Sequence, residues 1–475
     1  MIISSSGIRG IAFNDLKPDI VARFAISYAR VITPDSVVIG TDCRPSSSVF
    51  KRAVIAGLLS EGVRVIDLGI CPTPTVFYAV RRLNASGAIV ITGSHNPIEW
   101  NAIKFADDKG TFIREGVMNK IVREYKEMKT FKIGYKVNEI NKSKVIKVNI
   151  TEDYINHLLN SIDYFSSGKY NVRDIKVVVD PAAGAAIHVT PHALKIVGFN
   201  VLTVNADPEN PFRDYEPSER TLKYIKEVVK GSHIGLAHDS DADRLVLITN
   251  EGRVLSPDYT LAVVIKAIYD DGLVEVKGGK VVVNIASSRL IEDVVEEYGG
   301  KVVYCDVGER KVLDRMISEN ANVGGEGSCG GVIIRDINPT RDGILAALIV
   351  TGYLAKRGKK LSEIIEDMPR YIKFNEKIYV KDQEAAQELV NKIAEALNGQ
   401  AYIRLGGVKV IFDDGSWILF RPSGTEPLVR IIGETKEESR LHELKKYAKE
   451  LVSSIVEGVK PGVTRVFSSN PIRER

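Results

Sequence analysis

Cysteine is scarce and unpaired in this sequence. Four residues, Cys43, Cys71, Cys305 and Cys329, lie far apart with no C-x-x-C pair, which argues against a disulfide framework or a zinc site and fits reduced thiols in a cytoplasmic protein. No apolar run nears the ~18 residues that a membrane span needs. The opening MIISSSGIRG has no charged region followed by an apolar one, so neither a secretory signal nor a membrane partner is expected. Charge of one sign is missing too: 65 Lys and Arg against 61 Asp and Glu leave a formal charge of +4. Nothing in that balance calls for nucleic acid. Two catalytic signatures are absent as well. Without G-x-x-x-x-G-K-[ST] there is no P-loop nucleotide site, and without G-x-S-x-G no serine elbow of the acyl-transfer kind.

What is present is globular and repetitive. At 475 residues, 44% of them hydrophobic and 27% charged, the chain can bury a large core and its length predicts roughly three domains. One order of elements recurs three times: an apolar strand ending in a polar loop, a helix, a Gly-led strand, then a third strand carrying a loop rich in functional groups. The copies run through V37–R44, G62–G69 and A88–N96; V177–G184, G198–D207 and I234–R244; V281–R289, G299–G308 and V323–G331. Strands alternating with helices imply βαβ units and mostly parallel sheets. In the first copy Val49, Ala53, Val54, Gly57 and Leu58 share a helical face, with Ser48 as N-cap and Gly62 as stop. From about Tyr371 the pattern changes to an α+β module: a strand, a helix over 384–397, a hairpin turning at Asp413-Asp414-Gly415, the loop RPSGTEP, a strand and a charged helix from about Lys436. The predicted domains are therefore 1–150, 151–251, 252–370 and 371–460, with a basic tail at 461–475.

Each repeat's last loop carries chemistry. In AIVITGSHNPIEWNAIKF, Ala88 to Phe105, a buried strand leads into TGSHNP, which places Ser94 at a strand's carboxyl end, where open α/β sheets put their chemistry. Pro97 delays the next regular element to Ile98 or later. In H238–R244 the aspartates Asp239, Asp241 and Asp243 alternate with small residues, so an extended segment puts three carboxylates on one side. Such crowding is costly without a cation, and few oxygen ligands beside a basic residue suit Mg²⁺. An EF-hand is excluded because its sixth and twelfth places hold Arg244 and Asn250. GEGSCG, Gly325 to Gly330, matches G-x-G-x-x-G, yet the apolar run that follows reads as a strand, not the helix that a dinucleotide fold requires. It reads better as a glycine loop in which Glu326 and Ser328 bond hydroxyls. In RPSGTEPLVR, two guanidiniums, two hydroxyls and the amides around Gly424 suit a phosphate.

Taken together, SGIRG (Ser6 to Gly10), GTDCR, TGSHNP, N-x-x-K-F, DSDADR, VGERK, GEGSCGG and RPSGTEPLVR span nearly the whole chain and resemble the α-D-phosphohexomutases, the superfamily of phosphoglucomutase, phosphomannomutase and phosphoglucosamine mutase. The resemblance implies three related α/β domains with mixed, mostly parallel sheets and a C-terminal α+β domain, arranged around a central cleft. It implies that Ser94 carries a phosphoryl group with His95 beside it, and that Asp239, Asp241 and Asp243 hold one Mg²⁺ per subunit together with an oxygen on Ser94. Arg9 and Lys104 would flank the reacting phosphoryl, with Lys104 as proton carrier. Arg244, Glu326, Ser328, Arg310 and Lys311 would bind the sugar phosphate. Arg421, Ser423, Gly424, Thr425 and Arg430 would clamp the phosphate that does not react. The implied partners are small hexose phosphates, with a sugar 1,6-bisphosphate as intermediate and activator, in a monomer or homodimer. Gly330 stands where many members have a histidine, and Glu309-Arg310-Lys311 where some have another. TGSHNP resembles the glucose/mannose branch, GEGSCGG a subgroup that includes glucosamine enzymes; glucose or mannose is preferred, with glucosamine as the alternative. A sugar-phosphate phosphatase would share serine, metal and phosphate nest, and a silent binding protein would not need the serine and all three aspartates.

Overall fold

Three successive stretches of the chain fold on one topology in the computed structural model, which describes residues 1–4, 7–128, 144–162, 164, 172–397, 402–424 and 426–457. The first contains β1 (Ile2–Ser4), β2 (Gly7–Ile11), β3 (Ser36–Thr41), β4 (Arg64–Ile70), β5 (Ala88–Ile91), β6 (Trp100–Ala106) and β7 (Val145–Lys147). The second contains β8 (Lys176–Asp180), β9 (Asn200–Thr203), β10 (Ile234–His238) and β11 (Leu245–Thr249), and the third β12 (Lys280–Asn284), β13 (Lys301–Cys305), β14 (Val323–Glu326) and β15 (Gly331–Ile334). The sheets run β4-β3-β5-β6, β9-β8-β10-β11 and β13-β12-β14-β15, the first extended by β2 and β1 at one end and β7 at the other. In each, three strands are parallel and the fourth returns antiparallel. The repeated order read from the sequence is thus a repeated sheet, and each chemistry-bearing loop is the hairpin joining third and fourth strands. Their apolar runs are buried on both faces, as helix-covered parallel strands require.

One helix differs from its sequence reading. It spans Pro45–Ser60, so Pro45 opens it behind Arg44 and Ser48 lies inside its first turn. Proline's fixed φ suits the first helical position, and that preference outweighs the serine's capping. Val49 is exposed while Phe50, Val54, Gly57 and Leu58 are buried. Gly62, just past the helix, takes φ +79° as a stop requires.

A continuous apolar cluster runs from Val76 and Phe77 through Leu158 and Leu194 to Leu261, Ile344 and Leu348, so the three α/β units share a core. The fourth unit has its own: β16 (Ile372–Tyr379), β17 (Tyr402–Arg404), β18 (Val408–Ile411), β19 (Trp417–Pro422) and β20 (Leu428–Thr435) form an antiparallel sheet in the order β16-β20-β19-β18-β17. Helices Gln383–Ala396 and Glu438–Glu457 pack on it. The short strand β17 has no counterpart in the sequence reading. This unit meets the third through a small patch where Trp417 and Leu419 touch Ile285 and Ala286. The proposed tail at 461–475 lies outside the described residues. Among the described residues no helix is long and apolar enough to cross a membrane.

Candidate active site

Ser94 sits in the β5–β6 hairpin with φ +50°, a left-handed conformation that a serine adopts only under local constraint. The constraint is visible. Arg44 donates from Nη2 to the carbonyls of Ser94 (2.6 Å) and Asn96 (2.7 Å), and from Nη1 to that of Pro97 (2.7 Å). Asp42 Oδ2 accepts from Arg44 Nε (3.0 Å), Thr92 Oγ1 (2.7 Å) and the Gly93 amide (3.2 Å). Ser240 of the neighbouring unit donates to Asp42 Oδ2 (3.0 Å) and to the Ser94 carbonyl (2.8 Å). So the GTDCR motif is the brace of the serine loop. It points the buried Ser94 Oγ at Asp239 Oδ2, 2.9 Å away.

Asp239, Asp241 and Asp243 are fully buried, and one carboxylate oxygen of each lies within 4.8 Å of the others. They meet on a turn, with Ala242 at φ +55°, and not along the extended segment that their alternation suggested. A turn brings the oxygens closer than the two-residue step of a strand allows. Burial, then the charges of Asp243 and Asp241, push the Asp239 carboxyl well above the usual carboxylate range. Burial opposes charge on Asp241 too, yet Lys104, at 2.7 Å, and Thr73, at 2.5 Å, hold it below that range. Asp241 Oδ1 and Asp243 Oδ1 have no hydrogen-bond partner. Three converging carboxylates with two orphaned oxygens are a donor set that fits a hard divalent cation.

Around them stand Arg9, Lys104, Arg244 and Arg341. Arg244 Nε is 3.7 Å from Asp239 and 3.8 Å from Asp243, and Lys104 Nζ is 3.9 Å from Asp243. Burial, then Arg244 and Arg341, lower the Arg9 pKa from its ordinary value. Arg341 also meets Glu309 (3.0 Å) and Glu326 (2.9 Å), and Arg244 meets Glu216 (3.3 Å), so the cations are shared between the aspartate trio and three glutamates. His95 has Nδ1 3.4 Å from Ser94 Oγ. Burial and the surrounding Arg244, Arg9, Arg341 and Lys104 hold its pKa well below the ordinary histidine value, so it is neutral at pH 7.

The third unit's loop is more occupied than its sequence suggested. Glu326 is buried and accepts from Asn284 Nδ2 (3.0 Å) and the Gly308 amide (2.8 Å) at Oε1 and from Arg341 Nη1 (2.9 Å) at Oε2, which leaves about one acceptor site, on Oε2, for a sugar hydroxyl. Ser328 is exposed. Arg310, expected to bind the sugar phosphate, has its Nη1 donating to Thr111 Oγ1 (2.8 Å), the Phe112 carbonyl (2.7 Å) and Asp107 (3.2 Å), and Nη2 to Asp314 (2.9 Å). With those donors committed it ties the third unit to the first. Lys311, half exposed, pairs with Asp306. In the fourth unit Arg421 and Arg430 are direct partners across β19 and β20. Ser423 is buried, Gly424 exposed, and Thr425 lies outside the described residues.

The structure thus brings Ser94, His95, Arg9, Lys104, Arg244 and the three aspartates together, sets Glu326 beside them through Arg341, and keeps Arg310 elsewhere. Sequence reasoning gave no role to Asp42, Arg44, Ser240 and Glu309, although they lie in the motifs quoted for the resemblance, and missed Thr73, Asn284 and Arg341. A signal existed for Asp42 and Asn284: Asp42 directly follows and Asn284 ends the first strand of a repeat, and each holds that repeat's functional loop. Arg341 had none, since it follows a segment with no repeat counterpart.

Comparison with known proteins finds relatives along nearly the whole chain. Family profiles described as phosphoglucomutase/phosphomannomutase alpha/beta/alpha domains I, II and III match residues 1–132, 152–252 and 256–371, and the C-terminal domain of the same family matches 373–451. A phosphoglucomutase/phosphomannomutase of Thermococcus kodakarensis is 36% identical over 473 residues, covering 96% of this chain and 99% of its own. A probable phosphoglucosamine mutase of Pyrococcus horikoshii is 33% identical over 463 residues, covering 95% and 98%. Among solved structures, a phosphoglucomutase/phosphomannomutase family protein of Burkholderia thailandensis aligns with TM-score 0.81 at 22% identity, over 98% of this chain and 99% of that one. The N-acetylphosphoglucosamine mutase of Aspergillus fumigatus, solved with GlcNAc-6P and magnesium, aligns with TM-score 0.54 at 16% identity, over 96% of each chain.

Proposed function

The chain belongs to the phosphoglucomutase/phosphomannomutase family of phosphohexomutases, and from that premise we propose that it interconverts the 1- and 6-phosphates of glucose or mannose through a phosphorylated Ser94. The observation that carries this reading is Ser94 Oγ at 2.9 Å from Asp239, in a loop braced from two units and ringed by four cations. Phosphoryl transfer asks for in-line positioning and for positive charge around the equatorial oxygens.

In the proposed cycle a hydroxyl of the bound sugar attacks phosphorus, the bond from phosphorus to Ser94 Oγ breaks, and a sugar bisphosphate forms. After the sugar reverses, its other phosphate returns to Ser94 and the second monophosphate leaves. Asp239, Asp241 and Asp243 would hold Mg²⁺, which supplies charge to a phosphoryl oxygen when bound. Arg9 and Arg244 add charge from the protein. Lys104 is an ion-pair partner of Asp241, so it acts as charge, and as proton carrier only when that pair opens. His95, neutral, is the other acceptor for the hydroxyl proton. Arg421 and Arg430 clamp the phosphate that is not reacting.

Glucosamine phosphate is the second substrate reading, favoured by the phosphoglucosamine mutase names among relatives at 33% identity. Rates on glucose 1-phosphate, mannose 1-phosphate and glucosamine 1-phosphate, measured side by side, decide between them. A phosphatase would release inorganic phosphate with no dependence on added sugar 1,6-bisphosphate; a mutase needs the bisphosphate and releases almost none.

A further inference from the structure

The chain has a buried arginine that joins the metal-candidate loop to the sugar-candidate loop. Arg341 Nη2 is 2.5 Å from Asp243 Oδ2, Nη1 is 2.9 Å from Glu326 Oε2 and 3.4 Å from Cys329 Sγ, and Nε is 3.0 Å from Glu309 Oε2. Three carboxylates from three different elements therefore share one guanidinium, a fork that a lysine's point charge does not reproduce.

The glycine loop is shaped around this side chain. A Cβ on Gly331 would lie 2.3 Å from Arg341 Cδ, and one on Gly330, where φ is +74°, would lie 2.1 Å from the Leu245 carbonyl oxygen. Neither position admits a side chain without displacing its neighbour. A cation at this end of the loop has to arrive from outside it, and Arg341 is what arrives. Glu309 fixes the approach, accepting from the Arg341 amide at 3.2 Å and from Thr340 Oγ1.

We propose that Arg341 is a positioning residue that couples sugar recognition to the metal site, by dividing its charge between Glu326 and Asp243. When a sugar hydroxyl donates to Glu326, that carboxylate holds the guanidinium less strongly and more of the positive charge bears on Asp243. Loss of the Glu326 charge has the same direction. By reciprocity, a cation bound at Asp243 alters the hold on Glu326, and hence sugar affinity, by the same factor. The coupling rests on the functional reading above, but the link between the two carboxylates does not depend on turnover.

The test is a double-mutant cycle read by calorimetric titration of Mg²⁺ into the full-length protein without substrate. Glu326→Gln is expected to weaken Mg²⁺ binding by threefold or more in the wild-type background. In Arg341→Met the same substitution is expected to change Mg²⁺ affinity by less than 1.5-fold. Arg341→Lys, which keeps the charge and guards against an unfolded methionine variant, is expected to leave an intermediate effect. Circular dichroism melting checks that each variant folds. Equal effects of Glu326→Gln in the wild-type and in folded Arg341 backgrounds would overturn the coupling, as would no effect in the wild type. A merely structural Arg341 would lower Tm without altering the Glu326 effect. If the wild type binds Mg²⁺ but turns over none of the three sugar phosphates, the functional reading fails while the cycle still decides the coupling.

Discussion

Arg421 and Arg430 stand directly opposite each other on neighbouring antiparallel strands. Cross-strand partners share a face, and like charges in that register repel by a few tenths of a kcal/mol up to ~1 kcal/mol. Burial and then Arg430 lower the Arg421 pKa from its ordinary value, and Arg421 Nε has no hydrogen-bond partner. Asp306 lies 3.9 Å from Arg421 and Glu426 3.4 Å from Arg430, which offsets part of that repulsion, and a bound phosphate between the two guanidiniums would offset more. Arg430→Gln should therefore leave the ligand-free Tm unchanged or raise it slightly, while KM for the hexose phosphate rises about tenfold or more, as loss of a charged hydrogen bond implies. A Tm loss of many degrees with unchanged KM would make the pair structural.

Ser94→Ala should abolish turnover, by at least about a thousandfold as for other nucleophile deletions, while hexose-phosphate binding survives in equilibrium titration. The Asp239 contact is with the hydroxyl, and the brace grips the backbone carbonyl, so the loop keeps its place. Substantial residual mutase activity in this variant would remove the central role given to Ser94.

Arg44 tests that brace. Its three bonds to the carbonyls of Ser94, Asn96 and Pro97 use the guanidinium fork, so Arg44→Lys keeps charge but loses geometry. The expected result is a fall in kcat of about ten- to a hundredfold with KM little changed, since a misplaced reacting group costs rate first. Steady-state kinetics with a saturating sugar bisphosphate separate the two.

Metal loading should stabilise the protein, because the aspartate trio is crowded without a cation. Mg²⁺ at a hundred times its Kd adds about 2.7 kcal/mol by mass action, read as a higher Tm than in EDTA. Asp241→Asn should weaken the metal titration and the rate together; an unchanged titration would count against the aspartate site.

Lys409 predicts a pH effect away from the site. Its ammonium is buried between the rings of Trp417 (4.0 Å) and Tyr304 (4.5 Å), without a hydrogen-bond partner, and burial pushes its pKa down to about 7. The unfolded lysine keeps its ordinary value, so between pH 7 and about 10.4 the unfolded state binds more protons and stability from this group rises with pH. Lys409→Met should raise Tm most at pH 6, with the gain shrinking as pH climbs toward 10. A gain that does not vary with pH would assign it to packing alone.

Much of this was legible from residue patterns because each signal was local. The repeated strands, the serine turn and the alternating aspartates are read from neighbours in sequence. The helix start at Pro45 was misread because a proline's backbone preference competed with a serine's capping, and the former prevailed. For Arg310, a basic residue beside a loop motif gives no hint that its side chain reaches Thr111, Phe112 and Asp107 of the first unit.

The sequence alone determined the elements, their threefold repetition and the residue types offered at each hairpin, since hydrophobic period, turn chemistry and charge spacing act over a few residues. Only the tertiary structure decided which groups meet. Ser94 reaches Asp239 across 145 positions of chain, and Arg341 reaches Asp243 across 98. Those distances are set by how the three sheets pack on one shared core, and no local preference encodes them.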